Sequence, residues 1–137
     1  MTYPTSPFGG GFTAGLREQD LDIDPTVDWL ASEHFSVKRA GITIDHLLVP
    51  ADADGRRIIK GGTALGKVTA TGKYGPYSNA LADGREVGTG LLFPGDLNVQ
   101  YGDTVAALLT HGSPIQARCV GVDDAFKADV AGRIWFQ

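Results

Sequence analysis

Lys60–Phe93 reads KGGTALGKVTATGKYGPYSNALADGREVGTGLLF, and how this stretch is read decides the fold. It is dense in Gly and Thr, alternates small apolar with polar residues, and holds one Lys behind a glycine loop. Two readings compete. In the first, Gly61-Gly62-Thr63-Ala64-Leu65-Gly66-Lys67 is a phosphate-binding loop. That mechanism needs a hydroxyl directly after the lysine, to ligate magnesium, and then a helix whose N-terminus faces the phosphates. Val68 stands where the hydroxyl should be, and Thr69-Ala70-Thr71-Gly72-Lys73-Tyr74-Gly75-Pro76 is a poor helix, broken by β-branched residues, two glycines and a proline. The preceding Arg56-Arg57-Ile58-Ile59-Lys60 offers only two apolar residues where a buried parallel strand should be. The second reading, strands and turns of a small β-domain, is therefore preferred, with Lys67 a solvated strand or turn residue.

Composition agrees. The 137 residues are one domain's length, 42% are apolar, and 19 are glycine, with no long run of strong helix formers. Cys119 is the one cysteine, so no intramolecular disulfide is expected, and its setting in Ile115–Val120 suits a small buried hydrophobe. No stretch approaches the roughly 20 apolar residues that cross a bilayer, and the start of the chain does not read as a secretory signal. A soluble protein of a reducing, cytosol-like compartment is expected, with no membrane partner. Net charge is −4, and the 12 basic residues never gather into a stripe or an aromatic-plus-basic patch. Nucleic acid is not an expected partner, since counterion release would bring nothing to such a surface.

Outward on the N-terminal side, Met1–Glu33 carries Pro4, Pro7, Gly9-Gly10-Gly11 and the acidic run Glu18–Asp24. An extended arm is expected, with the boundary drawn as arm 1–34 and β-rich domain 35–137. Its apolar residues, Phe8, Phe12, Leu16, Leu21, Ile23, Trp29 and Leu30, suit an arm that orders on a partner. Phe35–Ile44 (FSVKRAGITI) is a strand pattern whose apolar phase shifts at Ala40-Gly41, which predicts a bulge or a crossing between two surroundings. It is a candidate edge for pairing with another chain.

On the other side, Asp52–Arg56 and Asp83-Gly84-Arg85 read as turns, and Ile58–Lys60 as a short strand. Thr63–Thr71 reads as a strand with small residues on one face, which predicts another backbone packed closely over it. Tyr74–Asn79 reads as a loop, and Val87–Phe93 and Thr104–His111 as buried strands. Ile115–Val120 is expected to pair with the latter, a helix capped by Asp123 or Asp124 to run to Val130, and Ile134–Phe136 to end as a strand. The fold class is mainly β: a compact small β-barrel or sandwich-like domain with one short helix and an extended N-terminal arm.

No catalytic constellation is legible. His34, His46 and His111 show no metal-ligand spacing, one cysteine cannot complete a zinc site, and His111 near Ser113 lacks a positioned acid or oxyanion hole. No enzyme activity, cofactor or metal is expected.

Three segments carry a family resemblance: GGTALGKVTATGKYGPY (Gly61–Tyr77), ALADGREVGTGLL (Ala80–Leu92) and DLNVQYGDTVAALLTHG (Asp96–Gly112), followed by the terminal Ile134-Trp135-Phe136. In that order and spacing the last eighty or so residues resemble the tailed-phage head decoration proteins, the lambda-type capsid cement proteins. The resemblance implies a structural virion protein, made in the host cytoplasm and carried on the outer surface of the bacteriophage head. It implies a homotrimer bound to the major capsid protein of the expanded shell, giving capsid stabilisation against internal DNA pressure, with an arm that extends a capsid sheet. On that reading Trp29, Leu30, Phe35, Val37, Ile42 and Ile44 are expected to contact the capsid, and Tyr74, Pro76 and Tyr77 to lie at the trimer interface. Removing Met1–Glu33 is expected to leave a folded domain that no longer binds. Two alternatives stay open: a carbohydrate-binding or adhesion module displayed on the capsid, and a small nucleotide-binding enzyme that would need Lys67.

Overall fold

A computed structural model describes residues 27–137, without the side chains of Arg39 and Ala40. The expected arm residues up to Thr26, with Phe8, Phe12, Leu16, Leu21 and Ile23, lie outside the described residues. The described chain is mainly β. Seven strands follow in order: β1 (Ser36–Ile44), β2 (Ile58–Ile59), β3 (Ala64–Lys67), β4 (Tyr74–Pro76), β5 (Gly88–Phe93), β6 (Leu97–Asn98) and β7 (Thr104–His111). Among the described residues the one α-helix, α1, is Asp124–Asp129, and one-turn 3-10 helices occupy His46–Leu48 and Gln116–Arg118. Five strands close into a barrel in the order β1-β4-β3-β5-β7, while β2 and β6 form a separate antiparallel pair.

Side-chain alternation along the strands divides the core in two. Ile42, Ile44, Leu65, Tyr74, Leu92 and Leu108, drawn from all five barrel strands, fill the lumen, and Val49, Ile59 and Val99 join them. The neighbours on the other face, Ala64, Leu91 and Leu109, build a second core against Trp29, Tyr77, Phe126, Val130 and Ile134. Strands β3, β5 and β7 are thus walls between two cores, which is why Leu91-Leu92 and Leu108-Leu109 read as unbroken apolar runs. Each fully buried leucine stabilises the fold by roughly 1.5–3 kcal/mol.

The phase shift in β1 has its predicted cause. Lys38 pairs with Leu108 and Ile42 with Ala106, so four steps on β1 face two on β7 and two residues bulge. Val37 packs on the outer core while Ile42 and Ile44 enter the lumen. The close approach expected over β3 is also present: a Cβ on Gly66 would stand 2.6 Å from the Cα of Arg85. The helix is capped as expected, Asp123 Oδ1 accepting from Phe126 N at 2.8 Å.

Four expectations are corrected. Tyr74–Pro76 is not a loop but β4, since Tyr74, Gly75 and Pro76 pair in turn with Lys67, Gly66 and Leu65 of β3. Ile115–Val120 does not pair with β7; Pro114 precedes a 3-10 turn, and Ile115 N donates to Trp29 O at 2.7 Å. Ile134–Phe136 makes one isolated bridge, Gly112 to Ile134, and no strand. The arm–domain boundary at residue 34 does not hold either. Trp29 is 2% exposed, its Nε1 donates to Pro94 O at 2.8 Å, and its ring lies over Gly62, whose φ of +81° only glycine adopts easily. Val27 onward belongs to the domain, and removing Met1–Glu33 would strip a core residue.

Candidate interaction surface

The phosphate-loop reading fails on geometry. Gly61 N donates to Asp96 Oδ1 at 2.9 Å and Gly62 N to Leu92 O at 2.9 Å, so the amides that would cradle a phosphate are already bonded inside the fold. Lys67 ends β3 on the surface, and the chain then turns into β4 rather than entering a helix.

Of the residues expected at the capsid, three are turned inward. Trp29 sits in the outer core, and Ile42 and Ile44 are 3% and 0% exposed in the lumen. The alternation that made β1 a good strand also commits these side chains to the barrel, so they cannot fill a partner's pockets. Leu30 is half-buried and bridges Pro114, and Val37 is half-buried on the outer core. Phe35 alone of the set is exposed, at 37%, with its ring 5.1 Å from that of Phe93. The trimer candidates fare similarly. Tyr74 lines the lumen, and Pro76 is half-buried in β4. Tyr77 is buried with its ring 5.1 Å from Phe126 and its hydroxyl 3.0 Å from Asp123 Oδ1. Burial, reinforced by the Asp123 carboxylate, pushes the Tyr77 phenol up to about 12.

Most of the exposed large apolar side chains gather at the two ends of the β1–β7 pair; Val87 and Val120, also exposed, lie outside it. At one end Ser36 pairs with His111, flanked by exposed Phe35 and by Trp135, whose ring meets His111 edge-on at 5.1 Å. At the other end Ile44 pairs with Thr104, and the exposed residues are Leu47, Tyr101 and Val105. The eight residues of β7 hold these groups roughly 24 Å apart at 3.4 Å per residue. Between Ser36 and Thr43, the edge of β1 away from β7 has no strand partner among the described residues.

A polar cluster also forms where the sequence showed only scattered residues. Asp103 Oδ1 lies 2.7 Å from His46 Nδ1 and accepts from His46 N at 3.1 Å, while Lys73 Nζ donates to Asp103 Oδ2 at 2.5 Å. Hydrogen bonds from Lys73 and then His46 hold the Asp103 carboxyl well below the usual carboxylate range, and Asp103 in turn raises Lys73. Asp45, His46 and Asp103 present ligand atoms within 4.8 Å of one another. The ammonium of Lys73 already occupies that carboxylate, so the cluster reads as an ion-pair network rather than a metal centre. His46 and Asp103 are 57 positions apart, which no local motif reveals.

Burial pushes the Cys119 thiol up to about 12, so it stays protonated. Among the described residues no helix is long and apolar enough to cross a membrane. Comparison with family models, curated proteins and solved structures finds no match to this chain.

Proposed function

We propose that this chain is a decoration protein of a tailed-phage head, a trimeric cement that binds the major capsid protein on the outside of the expanded shell. The observation that carries the reading is the pair of exposed apolar groups at opposite ends of the β1–β7 pair. A cement protein needs two separate contacts, one with its own copies and one with the shell. The resemblance supports it further: its three segments supply β3 to β7, four of the five barrel strands and the β6 arm of the small sheet. We assign the Phe35–Trp135 end to the shell, because Val27, the first described residue, lines one surface hollow with Leu30 and Phe35. The unpaired β1 edge offers main-chain groups for strand addition there. The Leu47–Tyr101–Val105 end then serves the trimer.

Such a protein works by linkage. Binding only the expanded shell stabilises that state by on the order of 3–4 kcal/mol per site at large excess over Kd. Three arms on one body convert weak contacts into slow release. The test is to mix purified protein with expanded and unexpanded heads built from the major capsid protein of the same genome, and to count copies bound. Saturable binding in multiples of three on expanded heads alone is expected. Equal binding to both forms, or to neither, refutes the proposal. Trp135→Glu should abolish binding while leaving the sedimentation of the free protein unchanged; Val105→Lys should alter the oligomer instead.

A further inference from the structure

The five contacts that close the barrel are unequal. Strands β3–β4, β3–β5 and β5–β7 each share three register pairs and β1–β7 six, but β1 meets β4 at one pair, Ile44 with Tyr74. One further backbone bond supports this seam, from Asp45 N to Tyr74 O at 3.0 Å. A single parallel pair is a weak closure for a sheet whose other edges are laddered.

The ion cluster sits on that seam. Lys73 immediately precedes β4, Asp103 immediately precedes β7, and His46 follows β1 by two residues. Since β1 lies between β7 and β4 in the barrel, the Asp103 carboxylate spans the end of β1, one oxygen taking His46 and the other Lys73. Other charged groups face the same point. Asp45 caps the 46–48 turn through Leu47 N at 3.0 Å and lies 4.0 Å from His46 Nδ1. Arg57 Nη1 donates to His46 O at 3.1 Å and to Val49 O at 2.7 Å, fixing that turn from behind. We infer that the His46–Asp103–Lys73 clasp is a latch that holds the barrel closed between β1 and β4. With the latch released, this seam opens locally while the remaining four contacts persist.

Site-resolved hydrogen exchange on the full chain tests this. The reporter is the Asp45 amide, bonded across the seam, and the reference is the Leu92 amide, bonded to Thr63 O at 3.0 Å in the wall. Asp103→Asn and Lys73→Met each retain side-chain volume while removing the charge pair. Each is expected to speed Asp45 exchange on the order of tenfold, the scale of one charge-assisted bond, with a urea dependence far below that of Leu92 exchange, which follows global unfolding. Unchanged Asp45 exchange in both variants overturns the latch. So does Asp45 exchange that matches Leu92 in both rate and urea dependence, or loss of fold in both variants, because the seam would then open only with the whole barrel.

Discussion

Replacing Trp29 separates a tail residue from a core residue more sharply than any other change in this chain. The indole is 2% exposed, meets Phe93 edge-on at 6.3 Å, and donates its N–H to Pro94 O at 2.8 Å. Truncating a buried tryptophan to alanine costs roughly 3–5 kcal/mol in lost packing and residual cavity. The lost hydrogen bond adds little, about 0.5 kcal/mol, because Pro94 is exposed and water can take its carbonyl. Trp29→Ala should therefore lose about 4 kcal/mol, a large share of the 5–15 kcal/mol typical of a domain. With an m-value of about 2 kcal/mol/M, the urea midpoint falls by roughly 2 M. Trp29→Phe, which keeps most of the apolar volume, should lose about 1–2 kcal/mol. Far-UV circular dichroism in urea reads both changes. A paired truncation makes the same measurement without a point change: removing residues 1–33 should fall below removing residues 1–26 by a similar amount. A midpoint shift under about 0.3 M for Trp29→Ala, or equal stability of the two truncations, would refute the placement of Trp29 in the core.

Gly66→Ala should destabilise by about 1–3 kcal/mol, since its Cβ would lie 2.6 Å from the backbone of Arg85; a lowered Tm at unchanged oligomeric state checks it. The Asp103 carboxyl is depressed in the folded state by Lys73 and His46. Its contribution is therefore fully present above the ordinary carboxylate pKa of about 3.9 and fades as pH falls through the lower folded value. The stability gap between wild type and Asp103→Asn should accordingly shrink as pH falls below about 4, as read by urea titrations at stepped pH. Tyr77→Phe keeps the contact with Phe126 but loses the bond to Asp123, and should cost about 1 kcal/mol with no change in oligomeric state; a change in sedimentation would return Tyr77 to the interface. Cys119, its thiol pushed up to about 12 by burial, should resist a disulfide reagent at pH 8 until the chain is unfolded.

Much of the fold was legible because its strongest elements obey one local rule each. The β7 run, the β5 run and the bulged β1 strand all announce themselves by alternation or by apolar density, and Asp123 marks the helix start. What failed did so where tertiary packing overrides local preference. Gly75 and Pro76 are poor strand residues by propensity, yet both pair with β3, while Tyr74 beside them pairs with β3 and β1. Ile115–Val120 alternates like a strand, but its backbone is claimed by Trp29, a residue 86 positions earlier, so no ladder with β7 forms. Trp29 itself was misjudged by its company: acidic residues, glycine and proline before it suggest an arm, and nothing nearby shows that Gly62 has been left bare to receive its ring.

The candidate surface was harder to read for a reason that bears on the function. Sequence patterning finds side chains that point into a core, and of the four aromatics expected to meet a partner, Trp29, Tyr74 and Tyr77 belong to the chain's own interior while Phe35 alone stays at the surface. A binding surface is the complement of that set. Leu47, Tyr101, Val105 and Trp135 lie in a one-turn helix, a turn, the outward face of a strand and a terminal segment, positions with no shared period. They become two groups only because β1 and β7 run antiparallel and place the chain before Ser36 near the chain after His111, and Asp45–Leu48 near Tyr101–Thr104. Leaving large apolar side chains in water at both ends of one strand pair is costly for a free monomer, whereas the proposed trimer on a shell would cover both. On the proposed function, the end bearing Leu47 and Val105 would be covered by assembly of the trimer, and the Phe35–Trp135 end would stay exposed until an expanded shell is present.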